Sequence, residues 1–353
     1  MQNEEFTQEK YEEALKKSFD EKEEEFDDLR RKKLVISLIG SVNAGKSQTI
    51  NALTGIDYAD VKARSGWTKE VTLYPLNENV LIADTPGLND INESVSQKAT
   101  NFVEESADII LYFLNANVGI TAADKKTYRE LQKLEKDIIV IANKIDTLDD
   151  EEINEVRSQI FEELGVEPFC ISAKKKIGLE PLHDHILSIL ETRGKDILYI
   201  KASKFKSKEV RNWINAASAT AVGIGALPVP GSDIIPLTTL QVGLAMKIAF
   251  IYDIKPSKED VMKLAASTVT GNIGKQIARW AITGLKAAGW IPGAQLLEVA
   301  ICAIAGAVAG SMTYGFGWAC NAYYSSGMQM ELNEVGKLFK EYYDIHRSKK
   351  KAA

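Results

Sequence analysis

The chain has 353 residues, 45% of them hydrophobic and 26% charged, and a formal net charge of −6. That length predicts two domains, and the acidic balance argues against a general nucleic-acid surface. Three cysteines, Cys170, Cys302 and Cys320, form no CxxC pair, so their spacing suits neither a zinc site nor a disulfide framework and points to a reducing compartment.

The N-terminus is acidic and polar, without the pattern of a secretory signal, so a cytoplasmic location is expected. Residues 1–33 are charge-rich but place Phe6, Tyr11, Leu15, Phe19, Phe26 and Leu29 at mostly helical spacing. This predicts a helix whose single apolar stripe must dock on another element.

Residues 34–193 alternate short β-rich runs with helical patterns. The runs are Leu34–Ile39, Val71–Pro75, Val80–Ala83, Ile109–Leu114, Ile138–Ala142 and Pro168–Ile171. Such alternation predicts an α/β domain, a mostly parallel sheet with helices on both faces. Beyond it, 194–204 reads as a polar linker, 205–345 as an all-α helical domain and 346–353 as a basic tail.

The first strand runs into Gly40-Ser41-Val42-Asn43-Ala44-Gly45-Lys46-Ser47, which fits GxxxxGK[ST], and then into a helical run, Thr49–Leu53; Gly40 through Gln48 are the expected nucleotide-binding residues of this loop. Glycines there let backbone N–H groups converge on phosphate oxygens at a helix N-terminus. Lys46 would neutralise the β- and γ-phosphates, and Ser47 would bind Mg²⁺. Asp84-Thr85-Pro86-Gly87 closes the strand Val80–Ala83. Asp84 can hold the Mg²⁺ shell, and the Gly87 N–H can sense the γ-phosphate.

Two further motifs choose the base. Asn143-Lys144-Ile145-Asp146 closes the strand Ile138–Ala142, and Ser172-Ala173-Lys174 follows the last strand. The Asp146 carboxylate can accept both N–H donors of the guanine edge, whereas adenine leaves it partly unpaired. Asn143 would brace the loop, Lys144 would lie along the base, and a backbone N–H of Ser172–Lys174 would meet guanine O6. Ligands of open α/β sheets bind at these strand ends. Guanine nucleotides, GTP and GDP, are the predicted ligands.

These motifs resemble the Era-like branch of the translation-factor-related GTPases, over residues 33–193. The resemblance implies GTP hydrolysis. It also aligns Gly66-Trp67-Thr68-Lys69 with the Gly-Thr-Thr-Arg of switch I, which makes Thr68 a Mg²⁺-binding, catalytic threonine; Trp67 departs from that pattern, and Thr68 also reads as a plain loop residue before a strand. Leu88 stands where Ras-like GTPases carry a water-orienting glutamine. Asn43 matches the P-loop asparagine that coordinates K⁺ in potassium-activated relatives, and equally suits an unusual backbone angle. The resemblance thus gives Lys46, Asn43, Thr68 and Gly87 catalytic roles, with Mg²⁺ and K⁺ as the ions.

From about residue 205 strand signals stop, and neither Asn212–Ser232 nor Val299–Met330 carries a charge. Ala226–Asp233, with Leu240-Gln241, Met246 and Tyr252, resembles a bacterial domain of unknown function that often follows an Era-like G-domain. The plan is also similar to immunity-related GTPases, in which helices before and after the G-domain join in one bundle. Val299–Met330, with Gly306-x-x-x-Gly310, is long enough to span a bilayer, but its Ala, Gly and Ser content with Asn321 and Gln329 favours buried bundle helices over a membrane-inserting or released hairpin, and that over a constitutive span. Gly271-Asn272-Ile273-Gly274 reads as a helix break rather than an RNA-binding loop, and His183 and His185 read as surface residues. The partners expected are a second copy through the G-domain and a membrane surface; no nucleic acid is expected.

Overall fold

A computed structural model describes residues 2–56, 64–68, 71–84, 93–226, 234–268 and 294–352. The chain divides into two compact units, Leu29–Phe205 and a discontinuous one of Met1–Asp28 with Lys206–Ala353.

The first unit holds a seven-stranded sheet of β1 (Leu34–Gly40), β2 (Arg64–Thr68), β3 (Val71–Pro75), β4 (Val80–Asp84), β5 (Ile109–Asn115), β6 (Ile138–Asn143) and β7 (Phe169–Ile171). Their order is β2-β3-β4-β1-β5-β6-β7. Pairing is parallel from β4 through β1, β5 and β6 to β7, and antiparallel where β3 joins β2 and β4. Every residue of β1 is buried, the behaviour of a central strand covered on both faces. The helices are α2 (Lys46–Thr54), α3 (Glu93–Ser106), α4 (Ala122–Gln132), α5 (Asp150–Leu164), α6 (Leu179–Thr192) and α7 (Asp196–Ala202). Capping boxes start α4 at Thr121, with Asp124, and α5 at Asp149, with Glu152.

Two sequence expectations fail here for one reason: polar residues are buried with partners. Within the span expected to be a linker, 194–204, the chain forms α7, whose Leu198, Tyr199 and Ile200 are buried. Lys201 is buried too, its Nζ donating to Glu78 Oε1 at 3.1 Å and Asn79 Oδ1 at 3.3 Å. Asn79 in turn donates from Nδ2 to the carbonyls of Arg30 and Lys32. His183, expected at the surface, is fully buried; it stacks on Phe205 at 4.3 Å and its Nδ1 meets Tyr199 Oη at 3.2 Å. His185 is exposed.

The second unit is helical: α1 (Gln2–Arg31), α8 (Lys206–Gly225), α9 (Ile234–Ile251), α10 (Lys258–Ser267), α11 (Ala294–Ser325) and α12 (Leu332–Ala352). Glycines let α11 lie close to its neighbours. A Cβ on Gly306 would meet the Val222 carbonyl at 2.6 Å, and one on Gly315 the Phe339 carbonyl at 2.6 Å. The uncharged run Val299–Met330 is therefore mostly α11, with Phe316, Cys320 and Tyr324 buried and Ser311 and Thr313 buried as hydrogen-bonding groups. Among the described helices, the one long and apolar enough to cross a bilayer is α9, with 56% of it buried.

The stripe of α1 is buried at Leu15, Phe19 and Phe26. Phe26 packs on Phe250 with centroids 5.8 Å apart, Tyr11 Oη donates to Gln241 Oε1 at 3.1 Å, and Ser18 and Thr239 share a 2.9 Å hydrogen bond. Lys255–Asp27 and Lys258–Asp20 add ion pairs. Burying each large apolar side chain contributes about 1.5–3 kcal/mol, so the stripe and not the exposed pairs holds α1 in place. The side chain of Phe6, Gly271–Gly274 and Leu227–Asp233 lie outside the described residues.

Candidate nucleotide site

The loop between β1 and α2 has its shape written into three left-handed residues. Gly40 (φ +146°), Asn43 (φ +64°) and Gly45 (φ +85°) turn the chain so that α2 starts at Lys46. A side chain at Gly40 would put its Cβ 2.3 Å from the Phe113 carbonyl oxygen, and one at Gly45 would sit 2.1 Å from Asn143 Nδ2. Ser41, Val42 and Asn43 are exposed, as are Ser47 and Gln48, while Ala44 is buried. Val42 is 77% exposed, an unusual placing for an apolar side chain. Lys46 Nζ donates to the Gly40 and Ser41 carbonyls at 3.0 and 3.3 Å, which folds the ammonium over the loop.

Asn143, at the end of β6, joins this loop to two others. Its Nδ2 donates to the Ala44 carbonyl at 2.9 Å, and its Oδ1 accepts from the N–H groups of Lys144 at 2.8 Å and Ala173 at 3.1 Å. Lys144 takes the left-handed region at φ +75°, and Asp146 follows in a short 3₁₀ turn. The buried Ser172 donates from Oγ to Asp146 Oδ1 at 2.6 Å and accepts from the Lys175 N–H at 3.0 Å. The Ser172 hydroxyl is the main reason that the Asp146 carboxyl is held below the usual carboxylate range; Lys174 and Lys175 add to it. Ala173 is buried, and Lys174 is exposed.

One contributor escaped the sequence reading. Thr147 Oγ1 donates to Asn117 Oδ1 at 2.6 Å, tying the loop after β5 to the Asp146 turn. The signal was available in Asn115-Ala116-Asn117, two short polar residues at a strand end, where Asn115 Oδ1 accepts from the Asn117 N–H.

Asp84 ends β4, paired in register with Leu38 of β1. Burial pushes its carboxyl above the ordinary value, while the nearby Lys46 ammonium acts in the other direction. Thr68 is the last residue of β2, paired with Val71. Thr85, Pro86, Gly87 and Leu88 lie outside the described residues. The hydroxyls of Ser47 and Thr68 and the Asp84 carboxylate are all oxygen donors, the chemistry that suits Mg²⁺. Asp84 is the one carboxylate of the three, and it stands at the end of β4 near the Lys46 ammonium.

A glycine loop leading from a buried parallel strand into a helix, with Lys46 at its end and Asp146 held beyond the end of β6, two strands along the sheet, defines a P-loop GTPase domain. Residues 35–144 match the family model described as 50S ribosome-binding GTPase. Residues 201–347 match a second model, described as a domain of unknown function (DUF697). Among curated proteins, GTPase Der of Clostridium kluyveri is 32% identical over 182 residues, which cover 48% of this chain and 40% of that protein. GTPase Der of Persephonella marina is 30% identical over 202 residues, 53% of this chain and 44% of its own length. The chain thus spans less than half the length of these curated relatives. Among solved structures, Aquifex aeolicus Era Y63A bound to GDP and AlF4⁻ is 26% identical, with a TM-score of 0.37, covering 45% of this chain and 57% of that one.

Proposed function

We propose that this chain binds guanine nucleotide with Mg²⁺, hydrolyses GTP to GDP and phosphate, and couples nucleotide state to its helical unit in a regulatory, membrane-associated or mechanochemical role. The observation that carries this reading is the Asn143 side chain, which holds the phosphate loop and both base-side loops in one hydrogen-bonded set. In this reading the N–H groups of residues 43–48 and the N-terminus of α2 cradle the phosphates. Lys46 exchanges its loop carbonyls for phosphate oxygens, and Asp146 accepts from the guanine edge. Ser47, Asp84 and Thr68 would hold Mg²⁺, which when bound would offset charge on the β- and γ-phosphates. Asn43, exposed and left-handed, would present its side chain to K⁺, and the Gly87 N–H would respond to the γ-phosphate.

A second reading is a switch with negligible turnover of its own, whose GTP form docks a protein or, as the family description suggests, a ribosome. Leu88 favours it, because an apolar side chain cannot orient the attacking water. Displacement of a fluorescent GDP by GTP and by ATP, followed by phosphate release with Mg²⁺, separates the readings. Preferential displacement by GTP with phosphate release that Lys46→Ala abolishes supports the first. Preference for GTP without release leaves the second, and equal displacement by ATP rejects both.

A further inference from the structure

The helical unit contains one histidine, His346 of α12, and two serines of other helices meet its ring. Ser218 of α8 and Ser311 of α11 are 2% and 1% exposed. Each hydroxyl has a single proton, and each directs it to a backbone carbonyl. Ser218 Oγ donates to Gly310 at 2.9 Å, and Ser311 Oγ donates to Ala307 at 2.8 Å. The same two oxygens meet both nitrogens of the imidazole, Ser311 at Nδ1 (3.0 Å) and Ser218 at Nε2 (3.3 Å). With their protons directed elsewhere, both oxygens face the ring as acceptors. A neutral imidazole has one N–H to donate and an imidazolium has two, so only the charged ring satisfies all four hydrogen bonds at once.

The face of the ring tells the same story. Tyr314 of α11 stacks on it, centroids 4.6 Å apart and planes 27° from parallel, which sets the electron-rich face of the phenol against the imidazole. The two helices packed on His346 bring no ionised group to it. α8 carries no charged residue in Asn212–Gly225, and α11 carries none in Val299–Ser325. Nor does Ile234–Met246 of α9, whose Gln241 reaches Thr313 of α11. On α12 itself Tyr342 stands one turn before the ring, Asp344 and Arg347 flank it in sequence, and Arg347 lies near the Tyr343 hydroxyl. Glu12 and Glu13 belong to α1, whose Tyr11 bonds Gln241 of α9.

We propose that His346 is a proton-operated latch, which as an imidazolium pins the C-terminal turns of α12 to α8 and α11 together and on losing its proton lets those turns loosen. When the ring is neutral, the serine opposite its bare nitrogen must turn its proton away from the carbonyl, and one of the four bonds is lost. The direction follows from linkage. A histidine whose charged form the fold favours contributes stability that is fully present below its unfolded value and lost as pH rises through its folded one. The three helices are therefore joined more firmly in mild acid than in mild alkali. No residue of the nucleotide site takes part, so the latch and GTP hydrolysis are tested separately.

The experiment is a titration of the full chain labelled at its histidines and followed by nuclear magnetic resonance. The chain has three histidines, so His346→Gln identifies the His346 ring signal by removing it. Its titration midpoint is expected to fall by about half a pH unit in Ser218→Ala and in Ser311→Ala, the equivalent of one hydrogen bond to the charged ring. An unchanged midpoint in either variant, shown to be folded by circular dichroism, would overturn the proposal. Hydrogen exchange of residues 340–348, corrected for the intrinsic pH dependence of exchange, reads the latch itself. Protection in wild type is expected to exceed that in His346→Gln several-fold at about pH 5.5 and to approach it at about pH 8. A ratio that stays constant over that range, or that grows toward alkali, would leave His346 a packing residue and reject the latch.

Discussion

Asn143 and Ala44 lie 99 positions apart in sequence, yet the amide of the first donates to the carbonyl of the second at 2.9 Å inside the protein. The same side chain accepts from Ala173, so one residue sets the spacing of the phosphate loop against the base-side loops. Asn143→Ala leaves a buried carbonyl and a buried N–H without their partner, at about 1–3 kcal/mol each. A lower melting temperature and a fall in guanine-nucleotide affinity of ten- to a hundredfold, roughly the same energy expressed as binding, are expected. Gly45→Ala should resemble it, because its Cβ would occupy the place of Asn143 Nδ2. Fluorescent-GDP titration and a thermal melt check both variants; unchanged values would show that the loops hold their positions without this amide.

The Ser172–Asp146 contact predicts a pH effect of definite sign. Its hydrogen bond holds the Asp146 carboxyl below its ordinary value, so the carboxylate that would read guanine persists into the acid range. A carboxyl lowered in the folded state contributes stability that is present above its unfolded value and lost as pH falls through the folded one. Ser172→Ala should therefore move the acid limb of guanine-nucleotide affinity to higher pH, with a smaller effect at neutrality. Titrations from neutral pH downward that superimpose for the two proteins would contradict this.

Asp146→Asn should change the base chosen rather than abolish binding. An amide offers one acceptor and one donor edge where the carboxylate offers only acceptors, which suits xanthine better than guanine. Competition between GTP and XTP measures it. A variant that still prefers GTP as strongly as wild type would remove Asp146 from base recognition.

Potassium should raise phosphate release above the rate in sodium at equal ionic strength, and Asn43 should be required for the gain. The motivating features are the exposed, left-handed Asn43 and the apolar Leu88. Asn43→Gly is the informative variant, since glycine accepts φ near +64° without strain and removes only the side chain. If its rates in the two salts differ as much as those of wild type, Asn43 does not hold the ion.

In the helical unit, Phe19 is 1% exposed and packs in the stripe of α1. Phe19→Ala should destabilise that unit by about 3–5 kcal/mol, through lost burial and the cavity left behind. Hydrogen exchange read separately for α9 and for β1 checks it, with faster exchange expected in α9. Exchange unchanged in α9 would mean that α1 contributes little to holding the bundle.

The sheet was legible because its strands follow the simplest rule. β5 and β6 are uninterrupted apolar runs up to Asn115 and Asn143, β1 is broken only by the buried Ser37 before the phosphate loop, and each strand is buried along most or all of its length. β2 was not, since Arg64-Ser65-Gly66-Trp67-Thr68 has neither an apolar run nor alternation, and its pairing with β3 supplies what its composition lacks. α7 was hidden by Lys201, which counts as a surface residue until Glu78 and Asn79 are seen to receive it. His183 misled in the same manner, its ring buried against Phe205 with Nδ1 meeting Tyr199 Oη, residues that its own helix does not contain. Within the site, spacing located the loops, but the hydrogen bonds that bind them to one another belong to side chains whose partners only the fold brings near.

The discontinuity of the helical unit also fixes an order of events during synthesis. Ser18 of α1 bonds Thr239, 221 positions later, while Leu29–Phe205 is a continuous segment that is complete before α9 exists. At translation rates of about 5–20 residues per second, the apolar stripe of α1 waits on the order of ten seconds or more for its seat. For that interval a finished G-domain hangs on the ribosome with Leu15, Phe19 and Phe26 uncovered beside it, so the nascent chain presents a binding site for holdase chaperones that the mature protein has closed.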